Sequence, residues 1–340
     1  MKLNRGVVTQ PALCEHMGER GTSMAIDQNK ATLRPWWRQI ADFPLVAMVI
    51  ALALFVATTW LGSLGFSQLP KMGIPDATRQ MIAGLTIVGL VIAVYKLAIC
   101  KLGETPRDDL RREHAGRDLM LGLGGGALLF SLITAIAALV GVYDIVGLGS
   151  TRSILYALVM FGIIPGVLEE LLFRGILFRH LEDFGGSWFA LALTSALFGV
   201  AHIFNPNATL FSSFAIAVEA GILLGGAYML TRSLWAPIGL HAAWNFTQGQ
   251  VFDVPVSGID GTGLVEAKLS GPELLSGGTF GLEASVIALV IATGAGLWLV
   301  VRAVRAGHVL RPWWVRRRLA RAGAGSQEAI RVDVDRDADL

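Results

Sequence analysis

An all-α fold, a polytopic bundle of about eight membrane-spanning helices with both termini cytoplasmic, is the architecture this sequence predicts. Three observations predict it. Of 340 residues, 54% are hydrophobic and only 16% are charged, against roughly 25% charged in a soluble domain; mean hydropathy is +0.58. The apolar residues gather into eight runs, each near the ~20 residues that cross a bilayer. The 28 Lys and Arg divide 24 to 4 between alternate loops, as expected when basic loops stay on the cytoplasmic side. The composition excludes a disordered, collagen-like or disulfide-rich chain. A net charge of +2 gives no footprint for nucleic acid. Cys14 and Cys100 lie far apart, without metal-type spacing.

Each segment follows in order. Residues 1–42 are polar and lack an apolar period, so a disordered cytoplasmic tail without a cleavable signal peptide is expected. The spans are Pro44–Leu64, Met81–Ile99, Leu119–Val142, Ile154–Phe173, Trp188–Phe204, Leu210–Leu230, Leu234–Phe252 and Ala284–Val301. The fifth is short and the seventh carries several polar groups, which suits re-entrant or tilted helices. Together 43–301 form one membrane domain whose motif-bearing core is 154–249. Residues 302–340 form a basic cytoplasmic tail containing Arg316-Arg317-Arg318. Arg34-Pro35-Trp36-Trp37 and Arg311-Pro312-Trp313-Trp314 flank the outermost spans, and simple interfacial anchoring explains them. The longest external loop, Asp253–Glu283, is acidic and rich in Gly and Ser. It can fold over the external face, and nothing in it resembles a catalytic site.

Polar groups inside the spans are few, and an ionisable residue in hydrocarbon costs about 2.5–3.5 kcal/mol. Those that stand out are Glu169, Glu170 and Arg174 at the end of the fourth span, His202 in the fifth, Glu219 in the sixth, and His241 with Asn245 in the seventh. Glu170 and Arg174 share a helix face, as do His241 and Asn245, each pair being four residues apart. Glu169 points about 100° away from Glu170. Counted from the cytoplasmic turns at ~1.5 Å per residue, Glu169 lies about 18 Å deep, His202 about 21 Å, Asn245 about 17 Å and His241 about 10 Å. These depths suit one polar cavity, and the expected access is from the cytoplasmic side. Pro165 should loosen the helix before Glu169. Gly162-x-x-x-Gly166 and Gly221-x-x-x-Gly225 allow close helix contacts, a common feature of membrane packing.

The chemistry narrows by elimination. The spans hold no Asp pair, no Gly-x-Ser-Gly and no His-Glu-x-x-His. Carboxylate and imidazole remain. Glu169 can take a proton from water with His202 beside it, while His241 and Asn245 donate to an oxyanion. Alternatively Glu169, His202 and His241 form a two-His, one-Glu zinc site. Either arrangement hydrolyses an amide.

Three motifs carry a family resemblance. Glu169-Glu170-Leu-Leu-Phe-Arg174 is similar to the Glu-Glu-x-x-x-Arg motif of the CPBP family, the CAAX-protease and bacteriocin-processing (Abi) membrane peptidases. Phe198-Gly-Val-Ala-His202 resembles its Phe-x-x-x-His motif, and His241-Ala-Ala-Trp-Asn245 its His-x-x-x-Asn/Asp motif. The resemblance covers roughly Ile154–Gly249, in the right order. It implies an intramembrane endopeptidase in which Glu169 activates water beside His202. His241 and Asn245 complete the site as oxyanion donors or metal ligands, and Glu170 and Arg174 orient the others. It implies a divalent metal such as zinc or a metal-free glutamate mechanism, and leaves that choice open.

Two other functions compete: a proton-coupled transporter using Glu169, Glu219 and the histidines, and a non-catalytic immunity or scaffold protein. The intact motif set favours the peptidase. Expected partners are the lipid bilayer and a peptide or membrane-protein substrate, with no nucleic acid. The charge bias suits a multi-pass protein of a bacterial inner membrane. Glu219 belongs to no motif, and a supporting role is favoured over a proton pathway.

Overall fold

An apolar run in hydrocarbon satisfies its backbone polar groups by forming a helix. The computed structural model describes residues 35–68, 73–150, 152 and 154–323, and all eight runs are helical in it. We label them α1 (Pro44–Gln68), α2 (Asp76–Leu97), α3 (Ala115–Leu139), α4 (Ile154–Gly185), α5 (Ser187–His202), α6 (Leu210–Thr231), α7 (Trp235–Phe246) and α8 (Val286–Arg305). A π turn, Thr247–Val251, extends α7. Among the described residues, six helices are long and apolar enough to cross a membrane: α1, α2, α3, α4, α6 and α8. The two that fall short are α5 and α7, the pair singled out above. At 16 residues, α5 spans about 24 Å, less than the ~30 Å hydrocarbon core. The expected disorder of 1–42 falls largely outside the described residues, as does the tail beyond 323.

The connections sort onto two faces. On one, Arg179 donates to the carbonyls of Arg107, Cys100 and Leu102, and Leu234 N donates to Asp109 O. There Arg232 pairs with Glu182 at 2.6 Å, and Ser187 N donates to Leu310 O. The links after α2, α4 and α6 thus meet the segment after α8, and this is the face rich in Lys and Arg. A helix over 313–323 belongs to it: Trp313 stacks under Arg317 and both bond Glu104.

The opposite face is built from loops. Strand β1 (Tyr143–Leu148) pairs antiparallel with β2 (Val265–Leu269), Tyr143 opposite Leu269, with a bulge between Ile145 and Gly147. Asn205 Nδ2 donates to Ser257 O, and Gly258 N to Phe280 O. The long loop therefore does fold over this face, but as half of a two-stranded sheet that the helical pattern did not anticipate.

Two apolar cores fill the bundle. One, towards the loop face, includes Phe130, Phe198, Ile216, Leu223, Leu240, Trp244 and Leu282. The other, towards the basic face, includes Leu171, Ile176, Phe178, Tyr228, Leu234 and Ile238. Close approach of α3 to α7 locks the arrangement. A Cβ on Gly122 would collide with Ala236 O, and one on Gly126 with Leu240 O. This Gly-x-x-x-Gly pair sets α7 most tightly, and it was not among the two expected. Those two also make close contacts: Gly166 faces Ala242, and Gly221 faces Ser195.

Candidate active site

The middle of α4 is irregular. Its α-helical segment Ile164–Glu170 lies between two π stretches, Leu158–Ile163 and Leu171–Phe178. Such bulges are frequent at functional sites. Pro165 has no N–H for the carbonyl four residues back, which is that of Phe161. Asn245 Nδ2, 8% exposed on α7, donates to this carbonyl at 3.1 Å. A neighbouring helix thus satisfies the backbone that proline leaves open, as membrane interiors require. Asn245→Leu is expected to cost about 1–3 kcal/mol by stranding that buried acceptor. Thermal unfolding in detergent checks this.

Glu170 and Arg174 are fully buried and pair at 2.9 Å. Glu170 Oε1 also meets His241 Nδ1 at 2.9 Å. A carboxylate accepts, so we assign the ring proton to Nδ1. That leaves Nε2 facing Glu169 Oε2 at 3.9 Å. Arg174 continues to Ala220 O at 3.3 Å and lies over the Phe198 ring. A chain of contacts therefore runs Arg174, Glu170, His241, Glu169. Only Glu169 is substantially open, with its side chain 33% exposed.

His202 is the last residue of α5. Its Nδ1 meets Phe198 O at 2.7 Å, the i−4 carbonyl of its own helix, so Nε2 is the free nitrogen. Phe198 separates the histidines, its ring centroid 4.6 Å from that of His202 and 6.2 Å from that of His241. His202, His241 and Asn245 line one cavity of about 40 Å³, room for a few waters at ~10–15 Å³ each on this measure. Among the described residues no hydrogen bond or ion pair joins Glu169 to His202. The structure sets Glu169 beside His241.

Access differs from expectation. The far wall of the cavity is Ser257 and Glu283 of the long loop. Between the site and the basic face lies the buried core of Leu171, Ile176, Tyr228 and Ile238. The site therefore belongs to the loop half of the bundle, away from the basic face. Three of the four depths, about 17–21 Å from the basic face, lie beyond the midplane of a ~30 Å core, and His241 at about 10 Å does not.

Glu169, His202 and His241 are the residues that a two-His, one-Glu zinc site would use. His241 Nε2 and His202 Nε2 are both free to ligate. Nevertheless, among the described residues no group of three His, Cys, Asp or Glu side chains is placed to hold a metal ion. The three do not close into a coordination sphere in this arrangement.

Sequence reasoning passed over Glu283. It is 2% exposed, and its carboxylate accepts from Ser257 N. A lone Glu at the mouth of a span looks like an ordinary interfacial charge, and only the folded loop buries it. Burial pushes its carboxyl up to about 7, against the Ser257 and Gln248 hydrogen bonds and the nearby His241, which favour the charged form. The folded chain thus keeps this proton to higher pH than the unfolded chain. The cost of ionising it is absent below about pH 4.5, grows as pH rises to about 7 and is constant above, reaching about 3 kcal/mol. Protection of the loop amides from hydrogen exchange, corrected for intrinsic rates, is expected to fall across that window. In Glu283→Gln it is expected to stay flat.

Comparison with known proteins adds three findings. The family model described as type II CAAX prenyl endopeptidase Rce1-like matches residues 151–247, the segment from the start of α4 into the π turn after α7. "Putative membrane peptidase YdiL" of Bacillus subtilis (strain 168) is 26% identical over 177 residues, covering 48% of this chain and 69% of that protein. No solved structure matches the chain.

Proposed function

We propose that this chain, a multi-pass membrane protein of the CPBP family, is an intramembrane endopeptidase that cuts a membrane-associated peptide or protein. The observation that carries the reading is the contact chain Arg174–Glu170–His241–Glu169 beside a cavity of water size.

Each residue then has a task. Glu169, the one open carboxylate, takes a proton from water as the water oxygen bonds the scissile carbonyl carbon. The carbonyl oxygen becomes an oxyanion, which accepts hydrogen bonds from Nε2–H of His241 or His202 when either is protonated there. Glu169 returns its proton to the nitrogen as the C–N bond breaks. Glu170 fixes the His241 ring through Nδ1, as a carboxylate orients the histidine of a hydrolytic triad. Arg174 balances the Glu170 charge. Asn245 holds the proline-broken turn of α4 in place, and so positions Glu169.

The substrate class is a peptide bond presented at the loop half of the bundle. The charge distribution supports a bacterial inner membrane. The test compares protein termini in membranes carrying the wild type or Glu169→Ala. New termini that require Glu169 support the reading. Identical termini favour the immunity, scaffold or transporter alternatives. The zinc content of the purified wild type separates the carboxylate mechanism from the metal one.

A further inference from the structure

Glu219 and Glu283 have no task in the reaction above, yet both line the cavity that His202, His241 and Asn245 line. Glu219 lies on α6 and is 1% exposed; Glu283 arrives from the long loop and is 2% exposed. They are electrostatic neighbours. Glu283 is held by the Ser257 amide, whereas Glu219 Oε2 is buried without a hydrogen-bond partner. A buried carboxylate is costly unless something balances it. No Lys or Arg lines this cavity; its basic side chains are His202 and His241, the latter already bonded to Glu170, and Arg174 is committed to Glu170 and Ala220 O.

The walls around the two carboxylates are Ile216, Ala220, Leu223, Leu224 and Ala292. Apolar walls ending in two buried carboxyl groups suit a cation on an apolar stem, as a lysine side chain presents, because an arriving ammonium favours their ionised forms. The volume of about 40 Å³ admits a compact ammonium head, close to water in size. We propose that the Glu219–Glu283 end of the cavity is a subsite for a primary ammonium group of the substrate. The assignment names the substrate class of the endopeptidase site, and as a substrate subsite it rests on that reading. A lysine side chain and a free N-terminus carry the same chemistry, and the probes below distinguish them.

The test measures binding separately from cleavage. The full-length chain carrying Glu169→Gln, in detergent, is titrated with three short apolar peptides. One is N-acetylated with a central lysine, one is N-acetylated with norleucine at that place, and one has norleucine and a free N-terminus. One of the ammonium-bearing peptides is expected to bind at least about tenfold more tightly than the acetylated norleucine peptide. That advantage is expected to vanish on adding Glu219→Gln or Glu283→Gln. Equal binding of all three peptides overturns the proposal, and needs no further variant. An advantage that survives both substitutions overturns it too. Cleavage by the wild type is scored independently. Cleavage without any ammonium preference removes the subsite and keeps the peptidase. Ammonium-dependent binding without cleavage of any peptide removes the peptidase and keeps the cation site.

Discussion

Glu169→Gln is expected to lower the cleavage rate by about 10²–10⁴-fold while leaving thermal unfolding unchanged. The two halves of this expectation have separate causes. The carboxylate is the proton acceptor, and an amide of the same shape cannot take the proton. Yet Glu169 is one-third exposed, and no strong contact anchors it; its approach to His241 is 3.9 Å. Losing its charge therefore removes little from the fold. Rates on the purified protein, with melting followed in parallel, check this. A variant that still cuts at the wild-type rate would remove Glu169 from the chemistry. The neighbouring substitution Glu170→Gln is the contrast, because Glu170 is fully buried between Arg174 and His241 and should affect both rate and stability.

Arg174→Met is expected to lower stability by about 3–5 kcal/mol, because it leaves Glu170 charged, buried and balanced only by His241. Arg174 has 0% exposure, so water cannot replace it. The double variant Glu170→Gln/Arg174→Met is expected to recover a large part of the loss, since the stranded charge goes with its partner. It is not expected to recover activity, because the His241 ring loses the carboxylate that sets its tautomer. Thermal unfolding of the two single variants and the double variant closes the cycle. Strict additivity of the two losses would show that the pair is not coupled.

Much of this was legible from local patterns. Apolar runs marked the eight helices, since a backbone in hydrocarbon has little alternative. Spacing of four put Glu170 and Arg174 on one helix face, and they pair at 2.9 Å. What periodicity along one helix does not contain is its rotation against the next. His241 and Asn245 share a face, yet one meets Glu170 on α4 and the other meets Phe161 O, more than two turns earlier in the same helix. The pairing of β1 with β2 joins loops over a hundred residues apart, and it is part of the same loop face that brings in Glu283.

The sequence alone determined that this is a multi-pass helical membrane protein, which face of it is basic, and which polar residues its three motifs place in the spans. Those properties follow from composition, run length and charge, all of which are local. Tertiary structure decided that Glu169 stands beside His241, that the cavity lies towards the loop face, and that Glu219 faces Glu283. These depend on helix rotation and loop closure, set by contacts such as Gly122 and Gly126 against α7. Such contacts exist only once distant segments pack.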